Sequence, residues 1–200
     1  MQTTKKLFIA TIALFSTQFA QAQSSTMKNP VSFKLSNGLT VIVAENTGTN
    51  KVYSSFTVDS DAANQSGKAG AQDVLNVMLN ETASEVEAGV SFDDKGGNLA
   101  SLATDFDKAL SVMSGTIKTP ALNQSSFDKA KQNIVEHLKA QDRYYPEAVN
   151  ETALQQLTLN DVQSLYKGTI TPSKAYLTIA GNIDPSTAKV LAKKEFDKWQ

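Results

Sequence analysis

The sequence has 200 residues, in which 19 lysines and arginines stand against 20 aspartates and glutamates, and its formal net charge is −1. It contains no cysteine, which excludes disulfides, thiolate-bound zinc and a lipid-modified cysteine. Charges of both signs are mixed along the chain rather than gathered into a basic stripe, so nucleic acid is not an expected partner.

The first 22 residues have the pattern of a secretory signal peptide. Lys5 and Lys6 precede the apolar run "LFIATIALF", and Ala20-Gln21-Ala22 is a small-x-small cleavage site. We therefore expect export to the periplasm or beyond, with cleavage after Ala22. The apolar run is too short to span a membrane, and no later run approaches the ~20 residues that a span needs.

Residues 23–30 are interpreted as an N-terminal extension, and 31–200 as a single domain. In "VSFKLSNGLTVIVAE" (Val31–Glu45) apolar and polar residues alternate around Asn37-Gly38, which predicts a β-hairpin with a two-residue turn. A third strand, "KVYSSFTVDS", follows, and its semi-polar side is a candidate for binding an extended peptide by strand addition.

The stretch "KAGAQDVLNVML" (68–79) predicts an amphipathic helix with Asp73, Asn76, Val77 and Asn80 beside its apolar face. "GVSFDD" and "NLASLAT" then flank Lys95-Gly96-Gly97 as a second hairpin.

The period becomes helical from Asp105 onwards, and Pro120 ends that helix. Ser125 or Ser126 is expected to cap the next helix, whose apolar side includes His137 at its margin. "TLNDVQSLYKG" predicts a short capped helix and "KAYLTIAGNI" a buried strand. Asp184-Pro185 then opens a last helix, with Asp as the cap and Pro at the first helical position.

Four of these segments occur in the order found in a known family. "FKLSNGLTVIVAEN", "SGKAGAQDVLNVML", "SSFDKAKQNIVEHLKAQ" and "TLNDVQSLYKGTITPSKAYLTIAGNID" together resemble the pitrilysin, or insulinase-like, metallopeptidases (family M16) over nearly the whole chain after the signal peptide. The resemblance implies an α+β fold: a two-layer sandwich with a largely antiparallel sheet and helices packed on one face. The periodicities above agree with that fold.

Active members of that family carry an inverted zinc motif, His-x-x-Glu-His, on the helix after the third strand. Its two imidazoles bind one Zn²⁺, and the glutamate activates the bound water. The corresponding positions here are Asp73, Asn76 and Val77, and the third ligand position, a later glutamate in the family, aligns with His137, directly after Glu136. An amide is no general base and valine has no donor atom. The resemblance therefore implies no catalytic residues and no zinc cofactor in this chain.

A weaker metal site is the alternative, with Asp73, Glu136 and His137 as candidate ligands. Asp73 and His137 give only two ligands, because Glu136 lies about 100° around its helix from His137. Two protein ligands, even with water, make a weak zinc site. The simpler interpretation is favoured: Asp73 stabilises the start of a helix through the macrodipole, and His137 is a packed, hydrogen-bonded side chain.

Three functions are consistent with this sequence. The first is a non-catalytic M16-like subunit or domain that binds a peptidase partner of that family, forms a homodimer, or holds an extended peptide. The second is a zinc metalloendopeptidase with an atypical site. The third is a secreted α/β peptide-binding module unrelated to proteolysis. Family members have further domains, so the resemblance also implies that this sequence is a fragment or a reduced paralogue.

Overall fold

The computed structural model describes residues 26–58, 68–84, 88–140 and 149–200. The expected signal peptide (1–22) and the start of the extension (23–25) lie outside the described residues. The strands are β1 (Val31–Lys34), β2 (Thr40–Glu45), β3 (Lys51–Val58), β4 (Val90–Asp93), β5 (Gly96–Leu102) and β6 (Ala175–Gly181). The helices are α1 (Ala71–Ser84), α2 (Phe106–Lys118), α3 (Gln124–Ala140), α4 (Glu151–Gln156), α5 (Leu159–Thr169) and α6 (Pro185–Phe196).

The six strands form one open sheet in the order β1-β2-β6-β3-β5-β4. The β2–β6 pair is parallel, and the other neighbouring pairs are antiparallel. The last strand in the chain, β6, therefore lies between β2 and β3. The predicted fold class, α+β with a largely antiparallel sheet, is confirmed.

One face of the sheet is buried under the helices. It carries the inward side chains of alternate strand positions and packs against α1, α2 and α6. Phe56, at the centre of this face, stacks on Phe196 and meets Trp199 with ring centroids 6.4 and 5.8 Å apart, so the last helix is fixed to the middle strand.

The opposite face of the sheet, here called the open face, carries no helix in the described part of the chain. Tyr53 and Tyr176 are its most prominent side chains, with 50% and 39% of their surface exposed. Its central positions are Thr40, Ile42 and Ala44 of β2, Tyr176, Thr178 and Ala180 of β6, Tyr53, Ser55 and Thr57 of β3, and Asn98 and Ala100 of β5.

The first hairpin is confirmed, but the prediction of a two-residue turn is wrong. The loop has three residues, because the Leu35 N–H donates to the Leu39 carbonyl (2.8 Å) and the Gly38 N–H donates to the Leu35 carbonyl (3.1 Å). Gly38 has φ +96°, as the third residue of such a loop requires. Asn37 donates from Nδ2 to the carbonyls of Phe196 and Trp199, both at 2.8 Å. Its side chain ties the hairpin to the end of α6 instead of forming a tighter turn.

Three further details differ from the sequence-based expectations. The second hairpin turns at Asp94-Lys95, so Gly96 is already paired with Asp93. The cap of α3 is Asn123, whose Oδ1 accepts the Ser126 N–H at 3.1 Å, rather than Ser125 or Ser126. The helix α4, with Leu154 buried, was not predicted. In the described part of the chain, no helix is long and apolar enough to cross a membrane.

A pH-dependent contact joins the start of α1 to α5. Asp161 accepts hydrogen bonds from the Thr158 hydroxyl (2.6 Å), the Thr158 N–H (2.8 Å) and Lys68 Nζ (2.9 Å). The Thr158 hydroxyl, followed by Lys68, lowers the pKa of Asp161 from 3.8 to about 2. The stability that this carboxylate supplies is therefore complete above pH 3.8 and is lost as the pH falls through about 2.

We expect the Asp161 carboxyl carbon to titrate near pH 2 in an NMR experiment on the folded protein. The Thr158→Ala variant, which removes the largest cause of the shift, should titrate closer to the ordinary value. A midpoint at the ordinary aspartate pKa in the unmodified protein would contradict the capping geometry.

Candidate functional site

The positions that the resemblance assigns to the zinc motif, Asp73, Asn76 and Val77, lie on α1. This helix buries Ala71, Val74, Leu75, Met78, Leu79 and Ala83 against the sheet and neighbouring helices. Asp73 is exposed, whereas Asn76 and Val77 are half-buried. The 3.6-residue period therefore places the motif positions beside the core-facing stripe, as expected, on the side that meets β4 and α3.

Asn76 is held in a short chain of hydrogen bonds. Gln72 Nε2 donates to Asn76 Oδ1 at 2.8 Å, and Asn76 Nδ2 donates to Asp94 Oδ1 at 2.7 Å. Both ends of the amide are thus engaged, one within α1 and the other at the β4–β5 turn. In an active enzyme of this type the general base must be free to accept a proton from water. Here the position instead fastens a helix to a hairpin.

Asn80 makes the tightest link between α1 and the sheet. Its Oδ1 accepts the Phe92 N–H at 2.8 Å, and its Nδ2 donates to the Phe92 carbonyl at 2.8 Å and to the Asn76 carbonyl at 2.9 Å. β4 is an edge strand, so these two backbone groups would otherwise point away from the sheet without a strand to bind. The side-chain amide substitutes for one residue of a neighbouring strand.

The helical period predicts the correct side of α1 for Asn80 but indicates no role for its side chain. No local signal could have indicated one, because an asparagine on a helix surface has the same appearance whether it faces water or a strand edge. Only the position of β4 at the end of the sheet makes its amide a structural group.

Val77 lies opposite α3. It lines a groove of about 370 Å³ together with Asn133, Ile134, Glu136 and His137. The fold therefore brings two of the aligned positions, Val77 and His137, to one groove, as the resemblance implies. Asp73 does not line that groove.

The expectation that His137 is packed is wrong, because this residue and Glu136 are both exposed. The buried contacts of α3 are made by Phe127 and Ala130, near its beginning, and its later turns are more exposed. The helix periodicity gave the correct face, but it could not show that the core ends before the helix does.

The space beneath Asn76 is too small for a peptide side chain. A narrow cavity of about 20 Å³ lies there between α1, α2 and the β4–β5 hairpin, with Phe56, Leu79, Phe92 and Ile117 among its lining residues. A volume of this size accommodates about one water molecule. The interior next to the motif positions is therefore packed rather than shaped as a substrate pocket.

Asp73 is the acidic group of this region. Although its side chain reaches solvent, the surrounding atoms of α1 partly desolvate it, and this raises the pKa of Asp73 above 3.8. The negative charge of Asp94 adds to the shift. A hydrogen bond from the backbone of Asp73 itself opposes part of this rise in the pKa.

Neither the family models nor the curated protein sequences gave a match to this chain. Several solved structures, in contrast, are similar to this chain. A protease from Helicobacter pylori has a TM-score of 0.73 at 15% identity, over 87% of this chain and 51% of its own. The periplasmic protease PqqL from Escherichia coli has a TM-score of 0.73 at 12% identity, over 86% of this chain and 24% of its own. An inactive M16 peptidase domain from Pseudomonas fluorescens has a TM-score of 0.67 at 14% identity, over 84% of this chain and 50% of its own.

The fold is that of the M16-like peptidases. The chain spans between a quarter and a half of these neighbours, and at such low identity the likeness concerns the fold alone.

Within this M16-like fold, the residues at the motif positions do not suit zinc. Zinc prefers imidazole, thiolate and carboxylate ligands in a tetrahedral set. Asn76 is committed to Asp94, Val77 offers no donor, and Asp73 does not reach the groove of Glu136 and His137. Among residues 26–58, 68–84, 88–140 and 149–200, no three histidines, aspartates or glutamates come together closely enough to hold a metal ion.

Proposed function

We propose that this chain is an exported, non-catalytic M16-like subunit or domain that acts by binding rather than by hydrolysis. The observation that carries the proposal is the structural use of Asn76, one of the motif positions, and of its neighbour Asn80. Asn76 and Asn80 join α1 to the β4–β5 hairpin by side-chain hydrogen bonds of 2.7 and 2.8 Å. A water-activating base and two metal ligands would have to occupy this same part of α1.

The solved structures support this proposal in two ways. One of the similar structures is described as an inactive M16 domain, so the fold occurs without activity in that protein. Another is a periplasmic protease. The apolar run and cleavage site of residues 1–22 suggest the periplasm, or release from the cell, for this chain as well.

The proposed binding partner is a peptidase subunit of the same fold, a second copy of the chain, or an extended peptide. The prediction of strand addition to β3 is wrong, because β3 is an interior strand that pairs with β5 and β6 along its length. At the edge strand β4, Asn80 already occupies the outward groups of Phe92. Side-chain contact with a face of the sheet therefore suits a partner better than backbone pairing.

Zinc content and peptide cleavage test the proposal together. The purified protein is expected to carry less than one zinc ion per chain after incubation with zinc and removal of the excess. It should also cleave unfolded peptides no faster with zinc than with a chelator. Stoichiometric zinc that disappears, together with cleavage, in the Asp73→Ala variant would support the atypical-peptidase alternative and end this proposal.

A further inference from the structure

The centre of the open face carries no charged side chain, whereas Lys34, Lys51 and Asp93 lie on the same face at its border. None of its central residues, from Thr40 on β2 to Ala100 on β5, is Lys, Arg, Asp, Glu or His. Lys, Arg, Asp and Glu together make up 20% of the chain. Protein surfaces normally carry at least that share of charge. Depletion of charge together with exposed tyrosines, here Tyr53 and Tyr176, is the composition of an interface core.

Several polar groups of the open face already have partners. Ser55 Oγ lies 3.2 Å from Thr57 Oγ1 on the same strand. Asn98 Nδ2 donates to Asp93 Oδ2, at the border of the face, at 3.1 Å. A polar group that is hydrogen-bonded within its own chain costs less to remove from water. The open face can thus be covered without leaving these groups unsatisfied.

The edges of the sheet are poor routes to association. On β4 the outward N–H and carbonyl of Phe92 are bonded to Asn80. At the other edge β1 has four residues and ends in the exposed Lys34, and a short edge with a lysine resists pairing with another chain. The face of the sheet, rather than an edge, is the surface left for a partner.

The size of the open face sets the strength of the contact. Strands about 4.8 Å apart and a rise of about 3.3 Å per residue give the four central strands an area of roughly 400 Å², or roughly 800 Å² for two facing surfaces. Inclusion of β1 and β4, whose Lys34 and Asp93 supply a charged rim, raises the pair to roughly 1,200 Å², which is the lower end of specific interfaces. Such an area corresponds to a reversible dimer rather than an obligate one.

We propose that the open face is a dimerisation surface that packs against the open face of a second copy of this chain. An uncharged centre is complementary to itself, because no like charges meet near a two-fold axis that passes through it. The two sheets would lie about 10 Å apart, with Tyr53 and Tyr176 of each copy filling the space between them. The proposed dimer rests on the association that the proposed function includes, and it specifies the surface and the partner.

Sedimentation equilibrium of the full chain over a range of concentrations tests the inference. The unmodified protein is expected to show a reversible dimer. Thr178→Lys places a charge at the centre of the open face and should raise the dissociation constant at least about tenfold. Gln132→Lys, an equal charge change at an exposed position of α3, is the control and should dimerise as the unmodified protein does. Circular dichroism and thermal unfolding establish that each variant is folded, and Tyr53→Lys replaces Thr178→Lys if the latter is not.

A strictly monomeric protein at the highest concentration, or a folded Thr178→Lys variant that dimerises unchanged, overturns the inference. Association with a peptidase subunit only, and not with itself, overturns the choice of a second copy. The zinc and cleavage measurements are independent of all these outcomes. A monomer without zinc or activity would remove the dimer and leave the non-catalytic role intact.

Discussion

The Asn80→Ala variant is expected to lose about 2–4 kcal/mol of unfolding free energy in urea titrations, because two backbone groups lose their partner at once. Phe92 is 7% exposed, so water reaches its N–H and carbonyl poorly when the amide is removed. The same truncation also releases the Asn76 carbonyl bond at 2.9 Å. The edge strand β4 and the hairpin behind it should therefore loosen first.

Two further variants make the Asn80 experiment specific. Asn160→Ala removes an exposed asparagine from α5 and should change the unfolding free energy little. Asn80→Asp keeps an acceptor for the Phe92 N–H but faces the Phe92 carbonyl with a carboxylate, so it should be at least as destabilising as the alanine at neutral pH. Equal, small effects of Asn80→Ala and Asn160→Ala would show that the amide bonds contribute no net stability.

The fourfold variant Asp73→His, Asn76→Glu, Val77→His, His137→Glu is expected to gain saturable zinc, about one ion per chain, without efficient peptide hydrolysis. The structure supports the gain, because Val77 and His137 already line one groove and Asp73 lies one helical turn before Val77. Turnover is not expected, because metal ligands need groups that orient them and a substrate needs a shaped site. The narrow cavity beneath Asn76 provides no such site.

A threefold variant that retains Val77 is the matched control. It lacks the second imidazole and should bind zinc much more weakly, as measured by calorimetry. Efficient peptide cleavage by the fourfold variant on its own would contradict the view that this unit lacks the surroundings for catalysis. Failure of a folded fourfold variant to bind zinc would mean that α1 and α3 do not hold the aligned positions in ligating geometry.

Elements with strong local signals could be predicted from the sequence. The alternation of Val31–Glu45, the capping box of Thr158 and Asp161, and the Asp184-Pro185 helix start each depend on a few neighbouring residues, and each is present. The turn at Asn37 was one of the exceptions, because its amide is used by the carbonyls of Phe196 and Trp199. A contact from so far along the chain leaves no mark on the local pattern.

The candidate site was predictable in position but not in role. The resemblance located Asp73, Asn76, Val77 and His137 on the two helices that the structure assigns them to. What each side chain does depends on strand order. The local pattern of β3 predicts an accessible strand, but β3 is interior because β6 returns to pair beside it. Neither that pairing nor the closure of β4 by Asn80 can be read from residues 51–80.

The position of β6 in the sheet also governs when the chain can fold. Residues 175–181 form the strand β6, which pairs with both β2 and β3. The two halves of the sheet therefore have no backbone hydrogen bonds between them until the carboxyl-terminal part of the chain is present. Such long-range pairing makes folding slow and keeps a nascent chain from acquiring its native core during synthesis. For a chain exported as proposed above, this delay would be an advantage, because the translocating chain would remain threadable until β6 has emerged.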